Sequence, residues 1–77
     1  MQVNQKVQGE YCGFKFEGVI TEMRRLTVKT DNCFEFVVQL PAPVTIYGHE
    51  RDVLLVNTKF DGSPSSYTKY SDSMIPA

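Results

Sequence analysis

Two cysteines, Cys12 and Cys33, and one histidine, His49, are the side chains best suited to nucleophilic or metal chemistry in this sequence. No CxxC or HxxxH spacing joins them, so a tetrahedral zinc site lacks ligands. Neither a metal nor a cofactor is expected. In a cytosol both thiols stay reduced and serve as small apolar residues. His49-Glu50-Arg51-Asp52 gathers four polar side chains of the kind that exchange protons. No nucleophile or glycine-rich phosphate loop accompanies them, and a solvated turn is expected there.

Binding chemistry has more candidates. Arg24 and Arg25, with Lys29, form a basic cluster suited to phosphate or to an acidic protein surface, although such clusters also occur as solvated strand ends. Tyr67-Thr68-Lys69-Tyr70 offers two tyrosines in a serine-rich stretch, and Tyr67 and Tyr70 supply contact area with a polar tip. Phe14-x-Phe16 and Phe34-x-Phe36 resemble the aromatic platforms on which bases stack. Their neighbours Lys15, Glu17, Cys33 and Glu35 are as acidic as basic, however, and a chain without tryptophan needs those rings for its core. A net charge of -1 and a pI near 5.7 give no basic field for nucleic acid or an anionic membrane, so nucleic acid is not the expected partner.

Alternation supplies the elements that must carry these residues. Phe14, Phe16, Gly18 and Ile20 fall on one side of a strand and Lys15, Glu17, Val19 and Thr21 on the other. Phe34, Phe36, Val38 and Leu40 repeat the pattern, and Asp31-Asn32 reads as the turn of a hairpin over residues 24–40. Pro41-Ala42-Pro43 removes two donors and must end that strand or form an edge or loop. Val44-Thr45-Ile46-Tyr47 resumes β-prone sequence, Gly48-His49-Glu50 reads as a turn, and a last strand covers residues 51–56. A further short strand is expected within residues 3–7.

With 77 residues, one small domain is the limit, and five or six short antiparallel strands without a helical period make it all-β. A sheet closed on itself buries one face with little chain, so a small barrel over residues 1–57 is expected. Its core would hold Val7, Phe14, Phe16, Ile20, Leu26, Val28, Phe34, Phe36, Val38, Ile46, Val53 and Leu55. Residues 58–77 read as a Ser/Tyr-rich tail: either its tyrosines serve recognition and removal from residue 62 onward leaves the barrel's stability nearly unchanged, or Tyr67 and Tyr70 pack back onto the barrel as an added strand or clasp and removal lowers it. The N-terminus lacks the apolar core of a signal peptide and no apolar run is long enough to span a bilayer, so a cytoplasmic location and no membrane partner are expected.

Cys12-Gly13-Phe14-Lys15-Phe16-Glu17-Gly18-Val19-Ile20, followed by Val44-Thr45-Ile46-Tyr47, resembles the plasmid-encoded type II dihydrofolate reductases over roughly residues 7–57. That resemblance implies an SH3-like barrel and a homotetramer around a pore that binds NADPH and folate. It also implies a pore-lining role for Val44, Ile46 and Tyr47. Thr45 stands where the family carries glutamine, and Gln8-Gly9-Glu10-Tyr11 stands where it carries a phosphate-attracting lysine. The resemblance therefore bears on fold more than on chemistry.

The leading expectation is a non-enzymatic protein-binding module with no catalytic residues, of a size suited to an accessory or inhibitor protein of a phage or plasmid. Arg24, Arg25, Lys29, Tyr67 and Tyr70 would engage a protein partner. A homo-oligomer is expected, with Val44, Thr45, Ile46 and Tyr47 near its interface, because small barrels leave edge strands unpaired. The alternatives are an NADPH-dependent reductase and a single-stranded nucleic-acid-binding barrel.

Overall fold

The computed structural model describes residues 1–28, 31–65 and 72–77, with the side chains of residues 27, 28, 31 and 32 left aside. Five strands follow in chain order: β1 (Lys6–Tyr11), β2 (Phe14–Val28), β3 (Asp31–Ile46), β4 (His49–Lys59) and β5 (Ser73–Pro76). They form one antiparallel sheet in the order β4-β3-β2-β1-β5, with no helix among the described residues. The domain is all-β. The sheet curls far enough for its edge strands β4 and β5 to touch, which gives the barrel-like form.

Two tight hairpins set the register. Cys12-Gly13 (φ 50° and 85°) joins the pair Tyr11 and Phe14, and Tyr47-Gly48 (φ 48° and 80°) joins Ile46 and His49. Positive φ at both central residues is the signature of a type I′ turn, whose twist matches the flanking strands. Glycine occupies the second position of each, where no Cβ opposes the left-handed backbone. The turn expected at Gly48-His49-Glu50 thus begins one residue earlier, and His49 and Glu50 already belong to β4. Asp31 and Asn32 likewise pair with Val28 and Thr27 inside the ladder, so they extend β3 and are not the hairpin's turn.

Pro41-Ala42-Pro43 lies where the β3–β4 register shifts, between the pairs Gln39 with Val53 and Val44 with Arg51. The chain stays extended through the prolines while the ladder is interrupted, as their missing donors require. A second shift, between Ile20 and Glu22, bends β2. Gly18 lets β2 approach β3: a Cβ there would stand 2.5 Å from the Gln39 carbonyl oxygen.

Val7, Ile20, Phe36, Val38, Leu40, Ile46, Leu54, Val56 and Met74 form the core, with Phe16 and Phe34 packed against it. Three expected core positions are corrected. Phe14 is 39% exposed, because it follows the β1–β2 turn at the end of the molecule. Val53 and Leu55 face outward and Leu54 and Val56 inward, because Val56 and Leu54 stand opposite the buried Phe36 and Val38 and so share their face. Leu26 is half-buried, and the side chain of Val28 lies outside the described residues.

The stretch read as a tail contributes a strand. β5 pairs with β1, Met74 is buried, and the Met74 amide donates to the Gly62 carbonyl at 2.9 Å. The last few residues therefore belong to the sheet, and removing residues 62–77 takes a core side chain and β1's outer neighbour with it.

Candidate binding edge

An antiparallel strand turns the N–H and C=O of successive residues alternately to its two sides. In β4 the Lys59 amide donates to the Ser63 carbonyl at 2.9 Å, and the Asn57 amide lies 3.5 Å from Asp72 Oδ2. Neither acceptor is on β3, so odd-numbered residues here present their backbone away from the sheet. Leu55 and Val53 follow the same alternation through the unbroken register with Val37 and Gln39. Among the described residues nothing pairs with their outward backbone groups. Ser63 and Asp72 cap β4 at positions 59 and 57, and among the described residues nothing covers positions 53 and 55.

The opposite edge is closed. On β5 the outward amide of Met74 is bonded to Gly62, and the next outward position is Pro76, which has no N–H. One edge of the sheet is thus blunted by a turn and a proline, while the other keeps, among the described residues, unpaired donors and acceptors at positions 53 and 55.

The side chains beside the open edge are apolar. Val53 is 36% and Leu55 44% exposed, and Leu55 stands opposite Val37 on the outer face of β3. The run Val53-Leu54-Leu55-Val56 is apolar on both faces, which suits a strand covered on its outer side as well as its inner one. That run is the sequence signal for this edge. Alternation alone gives it a single buried face and so misses it.

Of the residues proposed from sequence, the described ones lie as follows. Arg24 and Arg25 are exposed neighbours on β2 and point to opposite faces. Arg24 makes an ion pair with Glu35 at 2.7 Å, which offsets part of its charge. Lys29, Tyr67 and Tyr70 lie outside the described residues. Val44 and Thr45 are exposed on β3, whereas Ile46 is buried in the core and cannot contact a partner. His49, Glu50, Arg51 and Asp52 are all exposed in β4.

Tyr47 makes a turn-to-turn contact that the sequence did not suggest. It sits 66% exposed in the β3–β4 turn, its hydroxyl donates to the Cys12 carbonyl at 3.1 Å, and its ring meets Phe14 edge-on at 5.3 Å. The two type I′ turns are thereby tied together. Cys12 is half-buried, and burial, followed by the nearby Asp72 carboxylate, pushes its thiol above the usual range, the opposite of what a nucleophilic thiolate needs. Burial also pushes the Asp72 carboxyl up, although it accepts the Cys12 amide at 3.1 Å.

Two open grooves of about 380 and 430 Å³ lie elsewhere on the surface. Phe16 and Met74 line the first with Glu10 and Lys15, and Val19 and Leu40 line the second with Lys6 and Glu17. Each pairs one cation with one anion and so offers no field that would hold a phosphate. No known family matches the chain, and no characterised protein or solved structure matches it either.

Proposed function

We propose that the chain is a small, SH3-like, non-enzymatic protein-binding module that engages protein by adding a strand at the open edge of β4. The difference between the two sheet edges carries this reading: β5 is closed by Gly62 and Pro76, while Val53 and Leu55, among the described residues, keep unpaired backbone groups beside exposed apolar side chains. In strand addition the main-chain bonds supply affinity and alternate side chains supply selectivity. An accessory or inhibitor role suits a domain of this size, which reaches its target by main-chain pairing and needs no catalytic group.

A displayed library of random dodecapeptides tests the reading. Selection on the protein should enrich extended, alternating β-branched sequences that no longer bind the Leu55→Pro variant. Leu55 is the right position because its amide faces away from β3, so proline removes a donor the fold does not use. Selections that enrich nothing, or only sequences indifferent to Leu55→Pro, contradict it.

A further inference from the structure

Resting on the reading that the β4 edge accepts a strand, we infer that Gln39 is a positioning residue of that edge, its side-chain amide holding the break in the β3–β4 ladder at which the open stretch begins. Val38 pairs with Leu54 and Gln39 with Val53, so an unbroken ladder would set Leu40 opposite Asp52. That pair is not made, and Pro41 and Pro43 bring no N–H groups with which to mend the gap. The Gln39 side chain takes its place. Its Nε2 group donates to the Asp52 carbonyl at 3.0 Å and to the Leu40 carbonyl at 3.2 Å, the two acceptors of the missing pair. A primary amide carries two N–H donors, one for each carbonyl.

The break decides which backbone groups of β4 are offered to a partner. Ile46 and His49 close a two-residue turn and so exchange bonds with each other, which directs the backbone of His49, and by alternation that of Arg51, at β3. Leu54 faces β3 as well, and by the same alternation so does Asp52, in keeping with its carbonyl's bond to Gln39. Arg51 and Asp52 therefore turn toward β3 in succession, because residues 40–43 of β3 stand against Asp52 alone. Were the ladder unbroken, alternation from Val53 would present Arg51 outward too. With the break, the open stretch is limited to Val53 and Leu55, bounded by Arg51-Asp52 at one end and by the Asp72 carboxylate on the Asn57 amide at the other. The partner that fits is a short extended segment paired at these two positions, each of which exchanges two main-chain bonds with an antiparallel strand. Its selectivity falls to the side chains that meet Val53, Leu55 and Val37 on the outer face.

Three substitutions at Gln39, an exposed site away from the core, test the inference. Gln39→Glu keeps the length but removes both donors, Gln39→Leu removes them without adding charge, and Gln39→Lys restores a donor. A library-selected peptide that is sensitive to Leu55→Pro should bind the Glu and Leu variants at least about tenfold more weakly, and the Lys variant nearly as well as the parent. In the peptide-free protein the Leu54 amide should exchange at least about tenfold faster in the Glu and Leu variants, with Val56 unchanged. A merely structural glutamine would lower the melting temperature and leave the affinity of the folded protein unmoved. In the parent itself, the Gln39 Nε2 hydrogens should exchange with water more slowly than those of the exposed Gln8, and equal rates overturn the bonds to Leu40 and Asp52. Glu and Leu variants that bind the peptide as the parent does overturn the positioning role and leave strand addition standing. A selection that yields no such peptide overturns strand addition, and the exchange measurements then decide on Gln39 alone: Leu54 protection unchanged in both variants overturns its hold on the ladder.

Discussion

Val56 stands directly opposite the fully buried Phe36 across the β3–β4 ladder, and this pairing decides which face of β4 enters the core. Phe36→Ala should therefore cost about 3–5 kcal/mol, the usual penalty for an aromatic cavity that the surroundings cannot refill. Urea unfolding of the variant against the parent checks it. An unchanged midpoint would show that Phe36 is not central to the core.

The same pairing separates two neighbouring leucines. Leu54 is fully buried, so Leu54→Ala should cost about 2–5 kcal/mol, whereas Leu55→Ala, at a 44% exposed site, should cost under about 1 kcal/mol in the protomer. Thermal melts at a concentration where the protein is monomeric measure both. Equal losses would place the wrong face of β4 inside.

Legibility in the sequence followed periodicity. Where apolar and polar residues alternate, as from Phe14 to Ile20 and from Phe34 to Leu40, strand and face are both readable, apart from the exposed Phe14 at the turn. Where four apolar residues run together, at residues 53–56, the period is absent and only the partner strand fixes the face. β5 carries no such signal, because its four residues, Ser73–Pro76, hold one buried side chain and gain their order from pairing with β1, a contact distant in sequence. The edge itself was legible only as a general liability of small sheets. Which edge is open depends on where the chain returns after Lys59, and that is a tertiary fact.

Gly9 reports on β5. It pairs with Met74, and a Cβ at Gly9 would collide with the Ser73 carbonyl and the Met74 backbone. Gly9→Ala should force β5 off β1 and expose Met74, lowering the melting temperature about as much as deletion of residues 73–77. A variant as stable as the parent would mean that β5 contributes no folding energy.

Asp72 imposes a pH dependence of unusual sign. Burial pushes its carboxyl above the ordinary value near 3.8, against the Cys12 and Asn57 amides that favour the ionised form. The folded state then holds this proton more tightly than the unfolded state. The stability it contributes is fully present below the ordinary value and is lost as pH rises through the raised one. Urea midpoints of the parent and Asp72→Asn, compared from about pH 3 to about pH 7, should therefore move in the variant's favour as pH rises. Movement in the parent's favour would mean that the two amides outweigh burial.

The most direct test of the open β4 edge is amide hydrogen exchange at Val53 and Leu55, followed by NMR with and without a peptide selected from the library. Both amides should exchange quickly in the free protein and slowly once the peptide is bound, while the amides of Leu54 and Val56, directed at β3, stay protected throughout. Exchange at Val53 and Leu55 as fast with the peptide bound as without it would contradict the open edge.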